Sequence, residues 1–322
     1  MKQIGLIRSI FLLPMLPCAV AQTGPTLVDL SYGLPYQLKV APGQLVTFNL
    51  TGLDLNLSGP VRANQTPLPT VLAGISITLN QSTAGGPVSL RVPLLSVRQA
   101  NRCADTVVAT ADCYVTMISG QIPFEMTVLS DGLPSSDVVI SENGTNSQHF
   151  SVGASLDNIH IVTGTDSLGN NCGGACVTHA DGSLVTRTSP GTPGEVIVIY
   201  AYGLGKTNPA VPTGQPTPAP APVAANPVYV QFDFTPNAGP KYPFQLIAST
   251  PPAATLPEFA GLTPGEVGLY QVNVRLPETF PAVPSCAGSP SGLPTINSNL
   301  TIDITDGNGS IDAAPICVQP QQ

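Results

Sequence analysis

Short runs of alternating apolar and polar residues, cut off by Pro, Gly, Asn and Asp, recur along most of this chain. The clearest covers Leu269–Leu276. Tyr270, Val272, Val274 and Leu276 form one set; Leu269, Gln271, Asn273 and Arg275 form the other. Only the first set is uniformly apolar, so a strand is predicted with that set facing a core. Other strand-length runs, rich in β-branched and apolar residues, are Leu45–Phe48, Val196–Tyr200, His160–Thr163 and Leu300–Ile304. Val177–Thr186 is predicted to fold back as a hairpin around Asp181-Gly182. The chain carries no sustained i, i+3, i+4, i+7 stripe, and its six Glu and four Lys leave few strong helix formers. The pattern predicts an all-β protein.

Two stretches resemble each other. Ala41-Pro42-Gly43-Gln44 opens the run Leu45–Phe48, and Gly52-Leu53 follows it; Thr192-Pro193-Gly194-Glu195 opens Val196–Tyr200, and Gly203-Leu204 follows. In each, Pro-Gly makes a tight turn into a strand that packs between layers. The later halves are also expected to correspond, with Ile118–Met126 parallel to Gly268–Pro277. The repeat predicts a first module over 22–153, a hairpin-bearing connector over 154–187 and a second module over 188–322. Pro209–Pro227, with Pro216, Pro218, Pro220 and Pro222, reads as an extended polyproline-like loop within the second.

Composition narrows the compartment. Lys2 and Arg8 precede a short apolar stretch, Ile10–Leu16, and Ala19-Val20-Ala21 supplies the small residues of a cleavage site, so residues 1–21 are expected to be a secretory signal peptide. Pro14 breaks that stretch and Pro17 follows it directly; it is too short to span a bilayer, and Pro17 argues against lipid attachment at Cys18. No transmembrane segment is expected further on. Without Lys2 and Arg8 the chain carries 9 basic and 19 acidic residues, a net charge of −10. A chain so charged is a poor candidate for binding anionic lipid, and no nucleic acid partner is expected. Pro and Gly number 35 and 31, but a hydrophobic content of 42% argues for a packed chain over a disordered one.

Once Cys18 leaves with the signal, Cys103, Cys113, Cys172, Cys176, Cys286 and Cys317 remain. An even count in an exported chain reads as three disulfides among about 15 connectivities. Proximity favours Cys103–Cys113, Cys172–Cys176 and Cys286–Cys317.

Pro193–Gly205 (PGEVIVIYAYGLG) and Phe259–Val274 (FAGLTPGEVGLYQVNV) resemble the two blocks, in the same order, of the Solibacter-type uncharacterised C-terminal domain family of acidobacterial exported proteins. Ala180-Asp181-Gly182-Ser183 fits just upstream. The first module matches more weakly, with an insertion around Cys103–Cys113 and Pro123 where the second has Asn273. The family resembles bacterial immunoglobulin-like domains. The resemblance therefore implies two immunoglobulin-like β-sandwich modules in tandem, joined by a short β-hairpin connector. It implies no activity and no catalytic residues.

Candidate chemistry is sparse. The Gly-x-Ser-x-Gly elbow is absent, and His149, His160 and His179 sit in strand or turn contexts without an adjoining motif, so no catalytic residue is assigned. Asp306-Gly307-Asn308-Gly309-Ser310-Ile311-Asp312 is similar to the middle of a calcium-binding loop, but Ile304 and Pro315 occupy its first and twelfth positions. An Asp-Gly/Asn-Gly hairpin turn is the simpler account; Asp306, Asn308 and Asp312 are the candidate ligands for weak, millimolar-range calcium. Cys172–Cys176 has a spacing unlike the usual redox pair and too few ligands nearby for zinc. With no Trp, an aromatic sugar platform is poorly supplied; Tyr200, Tyr229 and Tyr270 are expected to pack or cap the core, and Tyr32 and Tyr36 are the better candidates for exposure. No cofactor is expected. The reading is a non-catalytic structural or interaction module, secreted or on the cell-envelope exterior, binding an extracellular protein or polysaccharide. An accessory or substrate-binding partner of an exported enzyme comes next, and a free-standing hydrolase third.

Overall fold

The computed structural model describes residues 26–30, 38–53, 55, 57–103, 113–128, 135–146, 149–165, 171–239, 255–286, 295–307 and 310–320, and no α-helix occurs among them. The expected signal peptide, Tyr32, Tyr36, Asn308 and the interior of the Cys103–Cys113 loop lie outside the described residues. The strands build two β-sandwiches in tandem, so the all-β, tandem-sandwich expectation holds.

In the first sandwich a five-stranded sheet runs in the order Thr26–Leu30, Leu45–Thr51, Tyr114–Gln121, Leu94–Asn101, Val61–Arg62. The facing sheet runs Lys39–Val40, Phe150–Ala154, Ser135–Glu142, Ile75–Thr83, Gly86–Val92, with Thr145–Asn146 beside Ser135–Glu142. Alternation puts Val46, Phe48, Leu50 and Ile118 of one sheet against Ile75, Ile77, Leu79, Val138 and Ile140 of the other.

The second sandwich is centred on Val196–Tyr202. His160–Ile161 and Val177–His179 share one of its edges, and Tyr270–Arg275, Phe259–Leu262, Val223–Ala224 and Thr207–Asn208 follow on the other. Tyr229–Asp233, Leu300–Thr305 and Ile311–Ile316 form the opposing sheet. Ile197, Ile199, Val272 and Val274 meet Val230, Ile302, Ile304 and Ala314 in its core. The segment expected as a connector thus contributes two short strands to the second sandwich. Its hairpin closes on Gly182, with φ of 86°, and Val185 N–H donates to the Val177 carbonyl.

Both Pro-Gly turns are alike. Gln44 N–H donates to the Ala41 carbonyl at 3.2 Å and Glu195 N–H to the Thr192 carbonyl at 3.2 Å, with φ of 77° at Gly43 and 72° at Gly194. A positive φ after Pro is what a type II turn needs, and glycine supplies it. The correspondence of the later halves is offset from the expected one. Leu45 pairs with Gln121 and Val196 with Arg275, which aligns Pro123 with Pro277 instead of Asn273. The offset is four residues, an even number, and a period-two pattern is unchanged by an even slip.

Candidate functional site

The two sandwiches meet along a polar seam built by residues that carry no periodic signal. Gln121, 1% exposed, ends a core strand of the first sandwich. Its Oε1 accepts the Gly214 N–H at 2.6 Å, and its Nε2 donates to the Gly43 carbonyl at 3.4 Å. Gly214 belongs to the proline-rich loop, whose carbonyl there accepts the Leu68 N–H at 2.9 Å. Phe124 N–H donates to Thr213 Oγ1 at 2.9 Å, and that hydroxyl donates to Glu125 at 2.5 Å. The Phe124 ring completes the core of the second sandwich although its chain leaves the first. The proline-rich loop, read from sequence as a plain extended loop, is therefore the main strap between the two bodies.

Beside the strap lies a cleft of about 460 Å³. Leu45, Ala63–Thr66, Leu68 and Leu95 line it from the first sandwich and Gly265–Val267 from the second. Asn64, Gln65 and Thr66 are exposed, so their amide and hydroxyl groups face anything that enters.

The structure also gathers Ser189, His179 and Glu195, a grouping that no local motif announces. His179 Nδ1 faces a Glu195 carboxylate oxygen, and Nε2 stands 3.1 Å from Ser189 Oγ and 3.2 Å from the Ser189 carbonyl. Burial pulls the His179 pKa down, but the Glu195 hydrogen bond, the Ser189 carbonyl and the charges of Glu195 and Asp181 outweigh it, and the net shift is upward. The ring is thus bracketed by a carboxylate at Nδ1 and by the Ser189 hydroxyl and carbonyl at Nε2, partners that favour its protonated form. Ser189 N–H is meanwhile engaged by Thr186 Oγ1 at 3.0 Å. The contacts tie the 179–189 loop to the turn before Val196. His160 is half-buried and its pKa is lowered to about 4 by desolvation; His149 pairs on the surface with Asp137 at 2.6 Å.

The candidate calcium residues separate. Asp312 is turned to backbone: its Oδ2 accepts Ile161 N–H at 2.7 Å and its Oδ1 its neighbour Ala313 N–H at 2.8 Å. Asp306, 6% exposed, instead lies in hydrogen-bonding reach of Asp157, 4% exposed, in the segment between the sandwiches. Burial first, then the hydrogen bond and charge of Asp306, push the Asp157 carboxyl up to about 8, against the pull of Ser310 and Asn226. No sequence signal joins residues 149 positions apart; only the fold does.

The disulfides Cys103–Cys113, Cys172–Cys176 and Cys286–Cys317 are those proximity favours, with Cα separations of 5.1, 5.1 and 5.9 Å. Cys176 also packs with Val162 and Leu269 against Tyr200 and Tyr202, covering the outer face of the Val196–Tyr202 strand.

Together these features define a disulfide-bonded protein of two docked β-sandwiches. No family model and no curated protein matches the chain. Among solved structures it is similar to the surface-layer protein SbsC, domains 4–9, at 10% identity over 92% of this chain and 32% of that one, with a TM-score of 0.22. It is similar to the Yersinia pseudotuberculosis adhesin InvE at 10% identity over 93% of this chain and 60% of that one, TM-score 0.19. A third is the Dpr2 Ig1-Ig2 complex with DIP-Theta Ig1-Ig3, at 11% identity over 92% of this chain and 100% of that one, TM-score 0.19. The chain spans about a third of the SbsC structure and 60% of InvE. Superpositions this loose carry no functional argument, and the fold assignment rests on the strands themselves.

Proposed function

We propose that this chain is a non-catalytic binding module working outside the cytoplasm, and that it takes a segment of another protein into the cleft between its sandwiches. The carrying observation is the seam: loops of both bodies line one cleft, and buried hydrogen bonds from Gln121 fix the loops relative to each other. Loops held on rigid sheets are the usual seat of recognition. Leucines beside exposed amides suit a peptide, whose backbone offers donors and acceptors at regular spacing. A polysaccharide is served less well, because no aromatic residue lines the cleft. Three disulfides accord with an oxidising compartment. Membership of the Solibacter-type family belongs to the same proposal.

The test is capture from the native envelope and medium by immobilised chain and by Gln65→Trp, which fills the cleft from an exposed position. The reading expects proteins retained by the parent chain and released by the variant. Equal capture by both, or retention of glycans alone, would overturn it.

A further inference from the structure

We propose that the cleft takes its partner as one added β-strand, laid along the outer edge of residues 61–64, with a Lys or Arg side chain opposite Glu266. The inference rests on the reading of the cleft as a protein-binding site and adds the conformation and charge of the segment bound there. Val61–Arg62 ends the five-stranded sheet, and among the described residues no strand lies on its outer side. Val61 pairs with Val97 and Arg62 with Ser96, and Ala63 N–H continues the ladder by donating to the Leu95 carbonyl at 2.9 Å. Backbone groups aimed at one neighbour recur at every second residue of an antiparallel strand. The N–H and C=O groups of Arg62 and Asn64 therefore point away from the sheet. Both residues are exposed, and Asn64 lines the cleft. Such an edge is a template for a further strand. A helix, whose backbone groups are bonded within itself, would leave those of Arg62 and Asn64 unanswered.

The proline-rich strap holds the far wall to the near one. The Gly214 carbonyl accepts Leu68 N–H, and a few residues on the Thr217 carbonyl accepts Gly265 N–H at 3.0 Å. Thr217 N–H and its hydroxyl both donate to the Glu266 carbonyl at 2.8 Å. A short bridge thus sets the walls before a partner arrives, which spares binding the cost of ordering them. Side chains of an added strand alternate between its faces, so apolar residues can meet Leu45, Leu68 and Leu95 while others reach the opposite wall. Glu266 is the one charged residue among the described residues that line the cleft; Arg62 falls outside that lining. Without the expected signal peptide the chain carries 9 basic and 19 acidic residues, a net charge of −10. The overall field and the local wall therefore favour the same sign of partner, a basic one.

The experiment is selection of a phage-displayed library of random dodecapeptides on the mature chain, with Gln65→Trp as the counter-target. Enriched peptides are expected to carry a Lys or Arg at a fixed place among alternating apolar residues and to be refused by Gln65→Trp. The best of them is then synthesised with N-methyl groups on alternate backbone amides. In the register that faces the edge, methylation should weaken binding about 10-fold or more, because it deletes the inter-strand hydrogen bonds; in the other register it should change little. Glu266→Gln should lower affinity for the unmethylated peptide about 2- to 5-fold and flatten its salt dependence. Enriched peptides without a basic residue, or methylation tolerated in both registers, would overturn the inference and leave the cleft as a protein-binding site. Peptides held equally by Gln65→Trp would place binding elsewhere and overturn both. Failure to enrich any peptide, beside successful capture of native proteins, would overturn the added strand alone.

Discussion

At the residue scale, the junction depends on places where only a hydrogen fits. Gly203 has φ of 79°, and a Cβ on it would stand 2.0 Å from the Asn158 carbonyl oxygen. Gly203→Ala should therefore lower stability by well over about 1 kcal/mol, since both strain and collision oppose it; urea unfolding at equilibrium reads the loss. The His179–Glu195 clamp sets a pH dependence of definite sign. The His179 pKa is raised in the folded chain, so its stabilisation is fully present below the unfolded value near 6.5. It is lost as pH rises through the folded value. Glu195, whose pKa is lowered because His179 and Thr192 outweigh its desolvation, adds a loss of stability below pH 4.5. Melting temperatures across pH should thus fall more steeply above pH 6.5 in the parent chain than in His179→Gln. Coincident slopes would show that the His179–Glu195 pair contributes nothing to stability.

At the scale of strands and loops, what could be read from sequence was what repeats or acts locally. Tyr270, Val272, Val274 and Leu276 are all 1% exposed or less because period-two alternation is a direct image of a half-buried strand. The Pro-Gly turns and the Asp181-Gly182 hairpin were legible because a positive φ is a local demand. The same periodicity hid the four-residue offset at Pro123. The disulfide pairing was legible because each bond closes a short loop. In the chain-entropy picture a sequence separation of 31 at Cys286–Cys317 restricts the unfolded state by about 4 kcal/mol, and one of 4 at Cys172–Cys176 by about 2. Cys286→Ala should then lower the melting temperature more than Cys172→Ala, as scanning calorimetry can decide. The packing of Cys176 on Val162 and Leu269 narrows that gap without reversing it.

At the scale of the whole molecule, the docking of the two sandwiches was the least legible part. Gln121–Gly214, Asp157–Asp306 and His179–Glu195 are single polar contacts spanning 93, 149 and 16 residues, and no period or motif marks them. Phe124 shows how closely the bodies are joined. Phe124→Ala should cost about 3–5 kcal/mol and, in hydrogen exchange, weaken protection of the Leu300–Thr305 strand in the second sandwich. Protection lost only in the first sandwich would separate the two cores.

Whether the sandwiches form one rigid body with a shared cleft is read by small-angle X-ray scattering of the mature chain beside Gln121→Leu. That variant leaves the Gly214 N–H and the Gly43 carbonyl without their partner, a defect of about 1–3 kcal/mol at the seam. The parent profile is expected to fit the single docked arrangement, and the variant profile to broaden toward two bodies on a loose joint. A parent profile already requiring a spread of inter-sandwich angles would contradict it.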